Sequence, residues 1–146
     1  MANKPAVFLD SSVIIASLLS ATGGSFYIIN TLKDNFDLAI NEYGLSEIQN
    51  VSKSKFAHQP NLQIQLFLTL GMAKIAVLPN PTKREKNLAA KYISAIDAPI
   101  LASALKHSDY LITLDNEFLK QEIIDLAKKS GLIILKPKDF IENHTR

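Results

Sequence analysis

Four acidic side chains occupy positions from which carboxylates could act together. Asp10 and Asp115 each follow a short apolar run, whereas Glu47 and Asp97 lie near the starts of two helical segments. Carboxylates gathered in one pocket repel one another and raise each other's pKa values unless a divalent cation compensates their charge. If the fold brings these four acids together, they predict a metal site.

The ligands of such a site would all be oxygen atoms, which suit the hard cations Mg²⁺ and Mn²⁺. The chain has no cysteine, and none of its three histidines follows a predicted strand beside the acids. Zinc chemistry and a histidine general base are therefore not indicated. Since Mg²⁺ keeps several waters when carboxylates bind it, one water could attack a phosphorus atom. This chemistry favours hydrolysis of a phosphate ester.

Each acid taken alone also has a purely structural explanation. Asp10 and Asp115 could begin turns, and Asp97 could cap a helix through its side-chain oxygen. Glu47 could be a solvated helix residue, as most glutamates are. Two apolar strands that both run up to an aspartate are less readily explained by coincidence, so the shared site is the preferred interpretation.

The segments that must position these acids alternate between strands and helices. Strands are predicted at 6–9, 36–40, 75–78, 110–114 and 132–135. Helices are predicted at 13–19, at 26–32, from Glu42 onward, at 60–70, at 82–93, after Asp97, at 122–130 and at 138–142. Ser11 and Ser12 are expected to cap the first of these helices. The helix that begins at Glu42 is expected to carry an apolar stripe of Tyr43, Ile48, Val51 and Phe56. Continuous apolar strands are typical of parallel sheets covered on both faces. The predicted fold is α/β, an open and mostly parallel five-stranded sheet with helices on both faces.

Ligands bind such sheets outside the carboxyl ends of the strands, where strand order reverses. The four acids converge there if the first and fourth strands are neighbours.

Composition sets wider bounds. A chain of 146 residues without a linker or repeat is expected to form one domain, 1–146. The absence of cysteine fits a reducing, cytoplasmic location. No apolar run approaches the roughly 20 residues that cross a bilayer, so no membrane association is expected. The net charge of +2 is too small to argue for nucleic-acid binding by itself.

The acidic motifs resemble those of PIN domains, in the usual order of that family. The matching segments are Asp10-Ser11-Ser12, Ser46-Glu47-Ile48, Asp97 followed by Ile100, Leu101 and Ala104, and Thr113-Leu114-Asp115 followed by Phe118. The resemblance covers almost the whole chain. Two further segments, 45–56 and 132–141, are similar to PIN-domain toxins of toxin–antitoxin pairs.

This resemblance implies a PIN-like nuclease domain with metal-dependent endoribonuclease activity, and it implies RNA, an antitoxin protein and a second copy of the chain as partners. It implies that Asp10, Glu47, Asp97 and Asp115 are catalytic residues that bind Mg²⁺ or Mn²⁺, directly or through water. Ser12 and Thr113 would orient these acids or a bound water. Many relatives carry more acids around the position of Asp97, which the neighbouring residues lack here, so the number of metals stays open. An open groove without a base-reading motif favours single-stranded RNA.

Two other functions remain as alternatives. Phosphatases of the haloacid dehalogenase type also place an aspartate after the first strand, but they need a second aspartate where this chain has Ser12. A catalytically silent domain that binds RNA or protein is the other alternative. The basic residues that would contact RNA are not singled out by the sequence; the candidates are Lys53, Lys55, Lys83, Arg84, Lys86, Lys106 and His107.

Overall fold

A computed structural model describes residues 4–144 of the chain. Within this range five strands form one sheet, which confirms the predicted α/β class. Their bounds are β1 Ala6–Leu9, β2 Asp37–Asn41, β3 Ala76–Leu78, β4 Tyr110–Ile112 and β5 Ile133–Leu135. The strand order is β3-β2-β1-β4-β5, and every neighbouring pair is parallel. Strand order therefore reverses at β1, and β4 is its neighbour, as the convergence of the acids requires.

Eight α-helices connect and flank the strands in the described range. They are α1 Ser11–Leu19, α2 Gly24–Asn30, α3 Glu42–Ser54, α4 Asn61–Met72, α5 Lys83–Ala89, α6 Ala98–His107, α7 Gln121–Lys129 and α8 Pro137–His144. A short 3-10 helix, Lys33–Asn35, precedes β2. The strand-helix alternation forms two layers of helices around a central sheet.

The core is divided by the sheet, and β1 contributes to both halves. Val7 and Leu9 pack with helices α1 and α2 on one face, whereas Phe8 packs with α6 and α7 on the other. Successive side chains of a strand point to opposite faces, so one fully apolar strand serves two cores. Burial on both faces fixes the level at which β1 ends, and with it the position of Asp10.

Several predicted boundaries were wrong by one turn or less. Helix α1 begins at Ser11, so Asp10 and not the serines is its N-cap. Helix α4 continues through Gly71 to Met72, and α5 ends at Ala89 instead of residue 93. Of the predicted stripe of α3, Ile48 is buried, Tyr43 and Val51 are partly exposed, and Phe56 lies beyond the end of the helix. The last helix is longer than predicted at both ends.

One correction concerns the site directly. Strand β4 ends at Ile112 and not at Leu114, so Asp115 does not follow the strand immediately. Residues 113–115 instead form an ordered extension, in which the backbone N–H of Thr113 still donates to the carbonyl of Leu135 at the end of β5.

Within residues 4–144 no single helix is long and apolar enough to cross a membrane. Helices α1 and α2 reach that length only as a pair, and they are bent by 97° at the break between them.

Candidate active site

Asp10 lies at the junction of β1 and α1 and is only 5% exposed. Its Oδ1 accepts a hydrogen bond from the backbone N–H of Ser11, at 2.9 Å. Its Oδ2 accepts two more, from the hydroxyls of Ser12 and Thr113, both at 2.8 Å. A carboxylate offers about four acceptor positions. Three are used within the protein, which leaves one, on Oδ1, for a ligand.

Ser12 and Thr113 join the ends of β1 and β4 through this carboxylate. The Ser12 hydroxyl accepts from the backbone N–H of Leu114 at 3.2 Å, and the Thr113 hydroxyl accepts from the N–H of Asp115 at 3.0 Å. Because each hydroxyl already accepts a backbone N–H, its single proton is free to point at Asp10. The network therefore presents two donors to Oδ2 and favours the ionised carboxylate.

Asp115 follows this pair on the extension of β4 and is partly exposed. Its Oδ1 accepts from the backbone N–H of Glu117 at 3.0 Å, which is the hydrogen bond of an Asx turn. The turn accounts for one carboxylate oxygen only. The other oxygen has no partner recorded within residues 4–144 and remains available to a ligand.

Glu47 approaches the site from α3, on the side opposite β4. Its nearest polar partner is the hydroxyl of Ser11, at 3.5 Å, which is a weak contact. Burial raises the pKa of the Glu47 carboxyl to about 7, and the charges of Asp10, Asp97 and Asp115 act in the same direction. A glutamate with this pKa is not an ordinary solvated helix residue, because water would keep its pKa low.

Asp97 occupies the N-cap position of α6, but its side chain makes no capping hydrogen bond. The structural explanation of this residue as a helix cap is therefore wrong. Its Oδ2 accepts instead from the hydroxyl of Ser94 at 3.0 Å. Burial raises the pKa of Asp97, and the charges of Asp115 and Asp10 add to the rise.

The acids act on one another electrostatically, and within residues 4–144 none of the four forms an ion pair. Burial also raises the pKa of Asp10, with a smaller contribution from the charge of Asp115. Burial and the charges of Glu47 and Asp97 raise the pKa of the Tyr43 phenol in the same way. The salt bridges recorded among the described residues, Lys106 with Glu85 and Lys120 with Glu117, do not include any of the four acids. The site is thus a concentration of negative charge around one buried carboxylate, that of Asp10.

The donor set fits a hard divalent cation but does not form a closed cage. Between residues 4 and 144, no three histidine, cysteine or acidic side chains converge closely enough to constitute a ready-made ligand set. Mg²⁺ is usually bound through one or two carboxylates and keeps several waters. The open arrangement of these carboxylates would therefore fit an ion of this kind.

Sequence reasoning missed two residues that position the acids. Asn41 is fully buried and caps α3 by accepting from the N–H of Gly44 at 2.8 Å. Its amide donates to the Pro99 carbonyl at 3.2 Å and to the Ser103 hydroxyl at 2.8 Å, so it ties the helix of Glu47 to the helix of Asp97. An asparagine directly before a helix is a recognised capping signal. The partner of Asp97, Ser94, was missed because its contact belongs to an irregular turn.

Comparison with known proteins gives one family and several similar folds. The sequence model of the PIN domain matches residues 7–135. No curated protein sequence matches the chain. The structure of VapBC2 from Rickettsia felis, bound to a DNA fragment from its promoter, has a TM-score of 0.63 at 18% identity and covers 90% of this chain and 98% of its own. The structure of PAE2754 from Pyrobaculum aerophilum has a TM-score of 0.63 at 17% identity and covers 97% of each chain. That of FitAcB from Neisseria gonorrhoeae has a TM-score of 0.58 at 17% identity and covers 90% of this chain and 98% of its own.

Proposed function

The chain belongs to the PIN-domain family, and from this premise we propose that it is an endoribonuclease that hydrolyses single-stranded RNA with the help of Mg²⁺ or Mn²⁺. In this proposal Asp10, Glu47, Asp97 and Asp115 form the catalytic metal site, and Ser12 and Thr113 position it. The single observation that supports it most is the concentration of mutually repelling acids at the switch point of a parallel sheet. Such repulsion costs stability and is expected where function requires the charges.

The bound cation would neutralise the acids, polarise a water for attack on phosphorus and offset the charge that develops on the phosphate. Asp10 contributes a fixed oxygen, because three hydrogen bonds hold its carboxylate in one orientation. Glu47 contributes a carboxylate whose pKa is about 7 without a cation, so that it would lose its proton and become a ligand when the cation binds. Asp97 and Asp115 add negative charge and acceptor oxygens on either side of Asp10.

A toxin role with an antitoxin partner is part of the same proposal. It is supported by the similarity of segments 45–56 and 132–141 to toxin components. The exposed face of α4 gives further support, because more than half of the side-chain surface is exposed at four large apolar residues: Ile64, Phe67, Leu68 and Met72. Apolar patches of this kind are usually covered by a partner protein. Pairing with a second copy of the chain and a cytoplasmic location remain predictions.

The decisive experiment is a cleavage assay on a mixed pool of RNA, with and without Mn²⁺. We expect Mn²⁺-dependent cleavage by the unaltered protein and a loss of at least about 10³-fold in Asp10→Asn, because the central fixed ligand loses its charge. A matched single strand, duplex and DNA at low salt would test the preference for single-stranded RNA. Circular dichroism would establish that Asp10→Asn is folded.

Three outcomes would contradict the proposal. Equal cleavage by the unaltered protein and by Asp10→Asn would point to a contaminating nuclease. Hydrolysis of small phosphomonoesters without RNA cleavage would favour the phosphatase alternative. RNA binding without metal-dependent cleavage would favour the silent binding module.

A further inference from the structure

A groove of about 570 Å³ opens next to Leu114, the residue that directly precedes Asp115. Its lining comes from three parts of the chain: the end of α1 and start of α2, the extension of β4 at Leu114, and the segment from the end of β5 into α8. The volume lies within the roughly 300–1,000 Å³ of sites that enclose small ligands. The groove is therefore large enough to accept part of a polymer.

The groove adjoins the proposed metal site at Leu114. Leu114 lines it and directly precedes Asp115, and the backbone N–H of Leu114 donates to the hydroxyl of Ser12, which in turn donates to Asp10. The hydrogen bond from Thr113 to Leu135 brings Lys136 to the same edge. A strand that leaves the metal site past Leu114 and Lys136 would enter this groove.

The charge of the groove is opposite to that of the site. Lys136 and Lys138 line it and are exposed, and Glu142 is the one acidic residue in the lining. Neither lysine has a carboxylate partner among the ion pairs of residues 4–144, whereas Lys106 and Lys120 do. Two ammonium groups without partners over a mostly apolar lining are suited to a phosphate-linked chain.

We propose that this groove holds the RNA strand next to the scissile phosphate, with Lys136 and Lys138 binding backbone phosphates and Leu114 supporting an unpaired nucleotide. The proposal rests on the proposed function, since it extends the substrate of that site. An apolar surface lets a base or sugar leave water, and the two cations compensate the adjacent phosphates. A duplex keeps its bases stacked inside and cannot use the apolar lining, so the groove selects single strands.

RNA is favoured over a peptide of the antitoxin as the occupant of this groove. The groove adjoins a site that is proposed to act on a phosphodiester, and its lining holds two lysines against one acid, Glu142. The large exposed apolar residues of α4, which suit a protein partner, lie outside its lining. Occupation by a peptide is therefore treated as an outcome of the test.

The first test compares two double variants with equal loss of charge. Lys136→Ala/Lys138→Ala alters the groove, whereas Lys128→Ala/Lys129→Ala alters exposed lysines in the last turn of α7. Helix α7 ends just before β5 begins, so the control lies at the opposite edge of the sheet. Fluorescence anisotropy with a labelled single-stranded RNA, in Ca²⁺ at low salt, would give Kd for each protein.

We expect Lys136→Ala/Lys138→Ala to raise Kd at least about tenfold and to make the slope of log K against log salt shallower by up to about 1.4, since each phosphate contact on a single strand contributes about 0.7. The control should remain within about twofold of the unaltered protein. Equal Kd and equal salt slope in the two double variants would overturn the proposal.

The second test locates the RNA. A 4-thiouridine-labelled single strand should crosslink to peptides containing Leu114 or residues 136–142, and crosslinks confined to α5 would contradict the groove as the path. The proposed function fails separately, if the unaltered protein binds RNA in the groove but does not cleave it with Mn²⁺. If Lys136→Ala/Lys138→Ala lost affinity for a peptide of the antitoxin but kept its affinity for RNA, the groove would be assigned to a protein partner. This result would also overturn the proposal.

Discussion

Asp10 and Asp97 are carboxylates of one site, but the protein holds them in different ways. Asp10 is almost fully buried and accepts three hydrogen bonds, two of them from hydroxyls that are themselves anchored to backbone N–H groups. Asp97 is partly exposed, and its side chain accepts one hydrogen bond from a serine in a turn. Glu47 resembles Asp97, because its one hydroxyl contact is long.

The difference separates a fixed side from an adjustable side. Asp10, held by Ser12 and Thr113, forms the fixed side at the ends of β1 and β4. Glu47, on α3, and Asp97, at the start of α6, form the adjustable side. A preorganised oxygen sets where a cation sits, and carboxylates with few partners can then turn towards it. Repulsion among the acids is also easier to relieve where side chains are free to move apart.

Among substitutions on the adjustable side, Asp97→Asn is expected to have the largest effect on activity. We expect RNA cleavage to fall by about 10²-fold or more, because the adjustable side loses charge that the cation requires. The fold should remain intact, since this side chain makes no capping hydrogen bond and the amide oxygen can still accept from Ser94. Cleavage rates and thermal unfolding of the same preparation would check both statements. A large fall in Tm would show that Asp97 has a structural role.

Removing one hydroxyl from each side of the site, in two separate variants, should sharpen the comparison between the fixed and the adjustable side. Thr113→Val keeps the shape of the side chain but removes the donor to Asp10 and the acceptor for Asp115 N–H, so cleavage should fall about 10- to 100-fold. Ser94→Ala removes the exposed contact to Asp97 and should lower cleavage by less than about threefold. Thr113→Ser should restore most of the activity. Equal effects at Thr113 and Ser94 would remove the distinction between the two sides.

Metal affinity should depend on pH through the adjustable side. Since the pKa of Glu47 is about 7 without a cation, a proton must leave before this carboxylate can bind one. Raising the pH from about 6 to about 8 should therefore tighten Mn²⁺ binding by about tenfold in titration calorimetry. Glu47→Gln should bind more weakly and lose this dependence. An unchanged pH profile in Glu47→Gln would mean that another group releases the proton.

The smallest expected effect is on stability without metal. An acid whose folded pKa is raised stabilises the fold only when protonated, so metal-free stability should fall as pH rises from about 4.5 to about 7 and then level off. Glu47→Gln removes this penalty and should raise the free energy of unfolding near neutral pH by roughly 1 kcal/mol, a value discounted for the screening of a partly exposed side chain. Thermal unfolding in a chelator would measure the gain. Added Mn²⁺ should stabilise the unaltered protein more than the variant.

The sequence was sufficient for the class of fold and for the order of its elements. Continuous apolar strands between amphipathic helices can bury both faces only as a parallel sheet, so this conclusion did not depend on exact boundaries. Residues 6–9 were predicted to the residue, because burial on both sides leaves no alternative register. The place of Asp10 was predictable for the same reason, since a charge at the end of such a strand can lie only at the edge of the sheet.

Tertiary structure decided how each acid is held. The side-chain oxygen of Asp97 could accept either from a backbone N–H in the first turn of α6 or from the Ser94 hydroxyl. The free energies of these two hydrogen bonds are too similar for the sequence to decide between them. The raised pKa of Glu47 comes from burial and from acids far away in the chain, so it exists only after β1, α3 and α6 have packed together. Asn41, which joins α3 to α6, reads as a simple helix cap in the sequence, and only the packed helices bring the Pro99 carbonyl and the Ser103 hydroxyl within its reach.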